Sequence, residues 1–185
     1  MTAAAVLTTA LAQRRERPGA DLAESAADLV AAATAMARRF RAGGVLHAFG
    51  DDDADARHIA VEFVHPVIVG KRALPAVAHH ASRAAHRLHH AAPADLALAV
   101  CDAPTLRVTD PSRGPVVAAL AAAGERGLLT VALAGRFWAG PPVDHLITLP
   151  ADDPLVLREL QVSAYHLLWE LTHALLEHGP DGSTP

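Results

Sequence analysis

The chain has 185 residues, 51% of them hydrophobic, which suits one domain with a sizeable core. Only 4% are aromatic and the apolar content is mostly Ala, Leu and Val, which favours closely packed helices over a β-sandwich. Lys and Arg number 16 against 20 Asp and Glu, for a net charge of -4, and there is no polybasic block or basic–aromatic stripe; this argues against nucleic acid as a direct ligand.

Residues 1–20 are expected to be a weakly structured segment ending at Pro18-Gly19. Within it, Ala3 to Ala12 is apolar, but Arg14, Arg15 and Arg17 follow the run, whereas a secretory signal would place the charges first. Asp21 and Glu24 have the spacing of a capping box, and Leu22, Leu29, Val30, Met36 and Phe40 recur at helical spacing, so 21–42 is predicted as an amphipathic helix stopped by Gly43-Gly44. Val45 to Phe49 reads as a buried strand ending at Gly50, Asp51 to Asp55 as an acidic loop, and Ala56 to Val64 as a helix closed by Pro66. A second strand is placed at Leu74 to Ala78, a His- and Ala-rich helix at His79 to Ala92, and a third strand at Leu96 to Cys101. Cys101 is the sole cysteine, so no internal disulfide can form and a reducing, cytoplasmic setting is expected. A polar loop with Pro104, Thr109, Pro111 and Gly114 follows, then a helix at Pro115 to Ala123 and strands at Leu128 to Ala134 and Val143 to Leu149. Asp153 or Asp152 caps a last helix running to about His178, and 179–185 is expected to be a flexible tail. No apolar run reaches the roughly 18–20 residues that cross a bilayer.

Strands that alternate with helices and read as continuous apolar runs are the mark of a parallel sheet covered on both faces. The expected fold is therefore α/β: a three-layer, doubly wound, five-stranded parallel sheet of flavodoxin-like type, in one domain over 21–178. Such sheets bind ligands at the carboxyl ends of their strands, here the loops 50–57, 79–82, 102–114 and 135–142.

Three stretches carry a resemblance to a known family: Phe40-Arg41-Ala42-Gly43-Gly44-Val45-Leu46; His58-Ile59-Ala60-Val61-Glu62-Phe63-Val64 with Lys71-Arg72-Ala73-Leu74-Pro75-Ala76-Val77-Ala78; and Arg158-Glu159-Leu160-Gln161 running on to Tyr165-His166-Leu167-Leu168-Trp169-Glu170-Leu171. Gly124 to Gly135 is a looser echo. In order and spacing they resemble the phosphoheptose isomerase branch of the sugar isomerase (SIS) family. The resemblance implies aldose–ketose isomerisation of a seven-carbon sugar phosphate, with a Glu as base, a His as acid, and in some members zinc held by a His, that Glu, a Gln and that second His; it implies no nucleotide cofactor. On this chain the first His falls on His58, the Glu on Glu62 and the second His on His166. The family's Gln falls on Arg158, and the His three residues beyond it on Gln161.

The phosphate-binding loops depart from the family. A Gly-Asn-Gly-Gly-Ser-like loop is replaced by Gly50-Asp51-Asp52-Asp53-Ala54, and the Ser/Thr-rich loop after the third strand offers only Thr105, Thr109 and Ser112. His79-His80-Ala81 stands where the family has Thr-Thr-Asp. Phosphate is bound by glycine-permitted N–H groups, hydroxyls and helix N-termini. Asp51, Asp52, Asp53 and Asp55 put negative charge there instead, each costing about 4 kcal/mol against a second charge 4 Å away before relaxation. Lys71, Arg72 or Arg158 could offset one of them. The candidate substrate-contacting residues are thus Asp51, Asp53, Arg72, Thr109, Ser112 and Arg158. The other reading of the acidic run is a solvated loop that caps the following helix through Asp53 or Asp55.

His58 and Glu62 share one helical face, a spacing that suits two ligands of zinc or another divalent metal, with His166 as a third and a position left open. The trio could also work as base and acid alone, or His58 and Glu62 could be an ordinary helical polar pair. His79, His80, His86, His89 and His90 are predicted on one helix, and His166, Glu170 and His173 on one face of the last; both groups read as metal-capturing or as plain exposed polar residues. Three functions follow: a sugar or sugar-phosphate isomerase with altered substrate, a non-catalytic SIS module binding a ligand, partner or metal, and a metal-handling accessory protein. The two long amphipathic helices lead us to expect a homodimer or homotetramer, with no membrane partner.

Overall fold

The computed structural model describes residues 22–101, 114–151 and 153–179, so Thr105, Thr109, Ser112 and Asp21 lie outside the described residues. A 3-10 turn, Leu22–Ser25, leads into helix α1, Ala26–Arg41, followed by β1, Leu46–Gly50, and α2, Asp53–Val64. Next come β2, Ala76–Ala78; α3, Ala81–Leu88; β3, Leu96–Val100; and α4, Pro115–Glu125. Strands β4, Leu129–Gly135, and β5, His145–Leu149, precede the long α5, Pro154–His178. The strands are ordered β2-β1-β3-β4-β5 and every pairing is parallel. That order is the doubly wound, flavodoxin-like arrangement, whose ligand crevice lies where the winding reverses, between β1 and β3.

Alternation along the buried strands sorts side chains by size. Leu96, Leu98 and Val100 of β3 face one layer together with Leu46 and Ala48, where α1, α2 and α5 contribute Met36, Phe40, Ile59, Phe63, Tyr165 and Leu168. Ala97, Ala99, Ala132 and Ala134 face the other, against Ala84 and Leu88 of α3 and Ala119, Leu120 and Ala123 of α4. Alanine on both sides lets that layer sit close to the sheet, and this is what the Ala-rich composition encodes. Gly44 is required at the entry to β1, because a Cβ there would lie 2.1 Å from the Ala94 carbonyl oxygen.

Some element boundaries differ from those expected. The second strand pairs only over Ala76–Ala78, since Pro75 has no N–H to give and the Leu74 N–H turns to the Phe63 carbonyl at 2.8 Å. Helix α2 begins at Asp53, inside the acidic run, with Asp52 as its cap: the Asp52 carboxylate accepts from Ala54 N at 2.7 Å. The capping role expected of Asp53 or Asp55 therefore falls to Asp52. At the head of α5, the Asp153 carboxylate accepts from Leu155 N and Val156 N, settling the choice between the two aspartates. Among the described residues no helix is long and apolar enough to cross a membrane.

Candidate active site

Two helices build the site. Helix α2 leaves the carboxyl end of β1 and carries His58 and Glu62 one turn apart, while α5 crosses it and carries Tyr165 and His166. His58 Nε2 lies 3.3 Å from Glu62 Oε1, and the His58 and His166 rings meet edge to face with centroids 5.0 Å apart. One ligand atom from each of His58, Glu62 and His166 lies within 4.8 Å of the other two. The three residues expected to act together are thus one cluster. The Glu62 side chain is 16% exposed and that of His58 43%, so the cluster is reached from solvent on the His58 side.

The donor set fits a divalent metal. Around tetrahedral zinc, with bonds of about 2.0–2.1 Å to nitrogen and oxygen, ligand atoms lie roughly 3.3 Å apart, so small side-chain rotations would close the trio on an ion. Two imidazoles and a carboxylate leave a fourth position for water or substrate, as in catalytic zinc sites. Arg158 stands where the family's glutamine ligand would be, but a guanidinium has no lone pair to give.

Arg158 is instead bound to α2. Its Nη2 lies 2.7 Å from Asp52 Oδ2 and 3.2 Å from Asp55 Oδ2, and Asp55 is buried at 5% exposure. The Ala54 N–H and then Arg158 hold the Asp52 carboxyl below the usual carboxylate range. The other acidic and basic candidates are dispersed. Asp53 Oδ2 faces His80 Nε2 at 3.3 Å, and the Asp51 N–H donates to the Val100 carbonyl. Lys71 pairs with Glu177 at 2.7 Å, and the Arg72 carbonyl lies 2.9 Å from His173 Nε2. Neither Lys71 nor Arg72 is thereby joined to the acidic loop.

Sequence reasoning missed the residues that hold the trio in place. Tyr165, the chain's single tyrosine, is 1% exposed, and its hydroxyl lies 2.8 Å from His58 Nδ1. Burial, with Asp55 adding to it, pushes the phenol up to about 12, so it stays protonated. Trp169, one turn further along α5, donates from Nε1 to the Glu62 carbonyl at 2.8 Å. Gln161 is fully buried; its Nε2 donates to the Cys101 and Leu133 carbonyls at 2.7 and 3.3 Å, joining α5 to the carboxyl ends of β3 and β4. Each partner is more than two dozen residues away in the chain, and no spacing rule connects them. Cys101 is buried.

Among the described residues, neither histidine group forms a metal-holding cluster of three, although the His86 and His90 rings meet at 5.4 Å. The helix α3 spans only Ala81–Leu88, with His80 as its cap and His89 and His90 beyond its end. His79 turns back under the sheet edge, where its Nε2 lies 2.8 Å from His47 Nδ1, and His47 Nε2 lies 3.3 Å from the buried Asp95. Burial first, and then His47 and Arg87, push the His79 imidazole down to about 4. On α5, His173 is buried against the Trp169 and Arg72 carbonyls, away from the exposed Glu170.

A doubly wound parallel sheet with a His–Glu–His cluster beside the carboxyl end of the first strand places the chain among SIS-type folds. No family model matches the sequence. A phosphoheptose isomerase from Solidesulfovibrio magneticus is 30% identical over 184 residues, covering 87% of this chain and 84% of that protein. In fold, a phosphoheptose isomerase from Francisella tularensis superposes with a TM-score of 0.77 at 16% identity, over 94% of this chain and 99% of that one. One from Neisseria gonorrhoeae gives 0.66 at 18% identity, over 91% and 96%. The chain belongs to the phosphoheptose isomerase family.

Proposed function

We propose that this protein is an aldose–ketose isomerase in which Glu62 is the base and His166 the acid, acting on a sugar whose handle differs from the phosphate of the parent family. The observation that carries the reading is the convergence of His58, Glu62 and His166 within 4.8 Å, from helices more than a hundred residues apart in the chain. In this reading Glu62 removes the proton on the carbon next to the substrate carbonyl, giving an enediol, exchanges that proton with solvent, and delivers a proton to the neighbouring carbon. His166 protonates the original carbonyl oxygen and takes the proton from the adjacent hydroxyl, so a ketose replaces the aldose with no net change in atoms or charge. The trio would hold a divalent ion, zinc among them, and such an ion when bound supplies Lewis-acid stabilisation of the negative oxygen. Tyr165 and Trp169 position His58 and the α2 backbone.

The altered handle rests on the loop after β1. Asp52 and Asp55 take up the Arg158 guanidinium, and Asp53 faces His80, so the loop offers carboxylates where a phosphate dianion would need donors. The same feature supports the second reading, a non-catalytic binding module of the family. An isomerase assay with sedoheptulose 7-phosphate and with its unphosphorylated ketose decides between them. Turnover of the unphosphorylated sugar in preference, lost in Glu62→Gln, is the expected result; no turnover of either, with the trio intact, would favour the binding module. Val30 on α1 and Leu155 on α5 are exposed, at 49% and 67%, which supports self-association of these helices into a dimer or tetramer. Light scattering of a monomer would contradict it.

A further inference from the structure

We propose that His86 and His90 form a metal site of their own, a two-imidazole chelate at the end of helix α3 for a divalent transition ion such as Cu²⁺, Ni²⁺ or Zn²⁺, independent of the trio. The two residues are four apart where α3, Ala81–Leu88, runs out but the backbone keeps turning: the His89 N–H donates to the Ala85 carbonyl at 3.2 Å and the His90 N–H to the Arg87 carbonyl at 3.1 Å. Side chains at that spacing share one helical face, as the paired histidines of helical zinc sites do. Both residues are exposed. Their rings meet edge to face, with centroids 5.4 Å apart and planes at 84°. On one tetrahedral ion, bonds of about 2.0–2.1 Å put two imidazole centroids roughly 5 Å apart, so the rings already stand at chelating separation.

Among the described residues neither ring takes part in a hydrogen bond or an ion pair; beyond each other, the one ring contact is between His90 and His89, at 5.8 Å. Another close pair, His47 and His79, has centroids 5.1 Å apart, but its facing nitrogens lie 2.8 Å apart and occupy each other. His80 is engaged by Ser82 and Asp53. Attraction of charge does not build the site, because α3 carries no carboxylate and Arg83 and Arg87 are exposed on it. Ca²⁺ and Mg²⁺, which take oxygen ligands, are therefore disfavoured, and the site selects ions that bond imidazole, Cu²⁺ above Ni²⁺ and Zn²⁺. The carboxyl-terminal turn of a helix also favours a cation. Two protein ligands leave the other positions to water, so the ion is exchangeable. Helix α3 packs on the face of the sheet opposite α2 and α5, so the ion is not shared with the trio.

The test titrates tag-free protein with Cu²⁺ and follows its ¹H–¹⁵N spectra, since the paramagnetic ion broadens the signals nearest to where it binds. Wild type is compared with His86→Ala, His90→Ala and His89→Ala, all at exposed positions where a substitution leaves the fold intact. In wild type we expect broadening centred on residues 83–90, with a half-effect below about 1 mM. His86→Ala and His90→Ala should bind there at least about tenfold more weakly, because one imidazole no longer holds the ion near the other, and His89→Ala should stay within about twofold of wild type. Broadening confined to α2 and α5 would overturn the proposal, whatever it showed of the trio. Wild-type affinity in His86→Ala or His90→Ala would overturn it too, as would a loss in His89→Ala equal to theirs. Broadening at α3 with none at α2 and α5 would support this site and count against the metal reading of the trio.

Discussion

Replacing Arg158 by glutamine tests whether the ion pair beneath the first loop holds the two site helices together. The contact to Asp52 is solvent-facing on both sides, with side-chain exposures of 37% and 39%, and contributes little. Asp55 differs, because its side chain is 7% exposed and Arg158 lies 3.2 Å from it. Removing one partner of a fully buried pair costs about 3–5 kcal/mol, because the other charge stays buried; with Arg158 itself more than a third exposed, about 2 kcal/mol is a fair expectation. For a chain of this length that is a fall in Tm of about 4–8 °C at neutral pH. Differential scanning calorimetry on Arg158→Gln, Asp55→Asn and the double variant measures it, the double variant removing the stranded charge together with its partner. The double variant is expected to recover most of the loss. A single variant within about 0.5 kcal/mol of wild type, or a double variant no more stable than Arg158→Gln, would refute the reasoning.

Three further outcomes are expected. Glu62→Gln should lose stoichiometric zinc uptake and lower turnover by about 10²–10⁴, read by metal analysis of tag-free protein and by steady-state assay. His79, pushed down to about 4 from 6.5, must stay neutral in the fold. The unfolded chain therefore binds the extra proton between those values, so stability is complete above pH 6.5 and falls as the pH drops towards 4. Urea midpoints at pH 7 and pH 5 should show the drop, and His79→Gln should flatten it. Gln161→Leu should cost about 1–3 kcal/mol by leaving the Cys101 carbonyl without its amide donor, and guanidinium denaturation with an unchanged m-value would record it.

The sheet was legible because its central strands are buried on both faces. Leu96–Val100 reads as an unbroken apolar run and Leu129–Ala134 as one interrupted only by Thr130, and a parallel order followed from the helices between them. The ends of helices were less legible. Asp51 to Asp55 has the composition of a loop, yet Asp52 caps the helix and Asp53 and Asp55 sit in its first turn, where carboxylates face the positive end of the helix dipole. The stretch from His79 to Ala92 has the Ala content of one helix, but His80 caps it late and His79 is drawn away by His47, 32 residues earlier. The trio itself was legible, since His58 and Glu62 declare a shared face and His166 follows from family order. What supports the trio was not: Tyr165 meets His58 and Trp169 meets the Glu62 carbonyl across 107 residues, contacts set by how α5 crosses α2. Thr109 and Ser112 lie outside the described residues, so their part in the second loop stays an expectation from sequence.

The claim that Glu62 moves a carbon-bound proton is tested most directly by deuterium exchange. The protein would be incubated in D₂O with sedoheptulose 7-phosphate and, separately, with sedoheptulose, and the C1 protons of the ketose and the C2 proton of the aldose formed from it followed by NMR. Wild type is expected to incorporate deuterium at these carbons in at least one sugar while Glu62→Gln incorporates none. Exchange that persists undiminished in Glu62→Gln, or its absence from both sugars with wild type, would contradict the assignment.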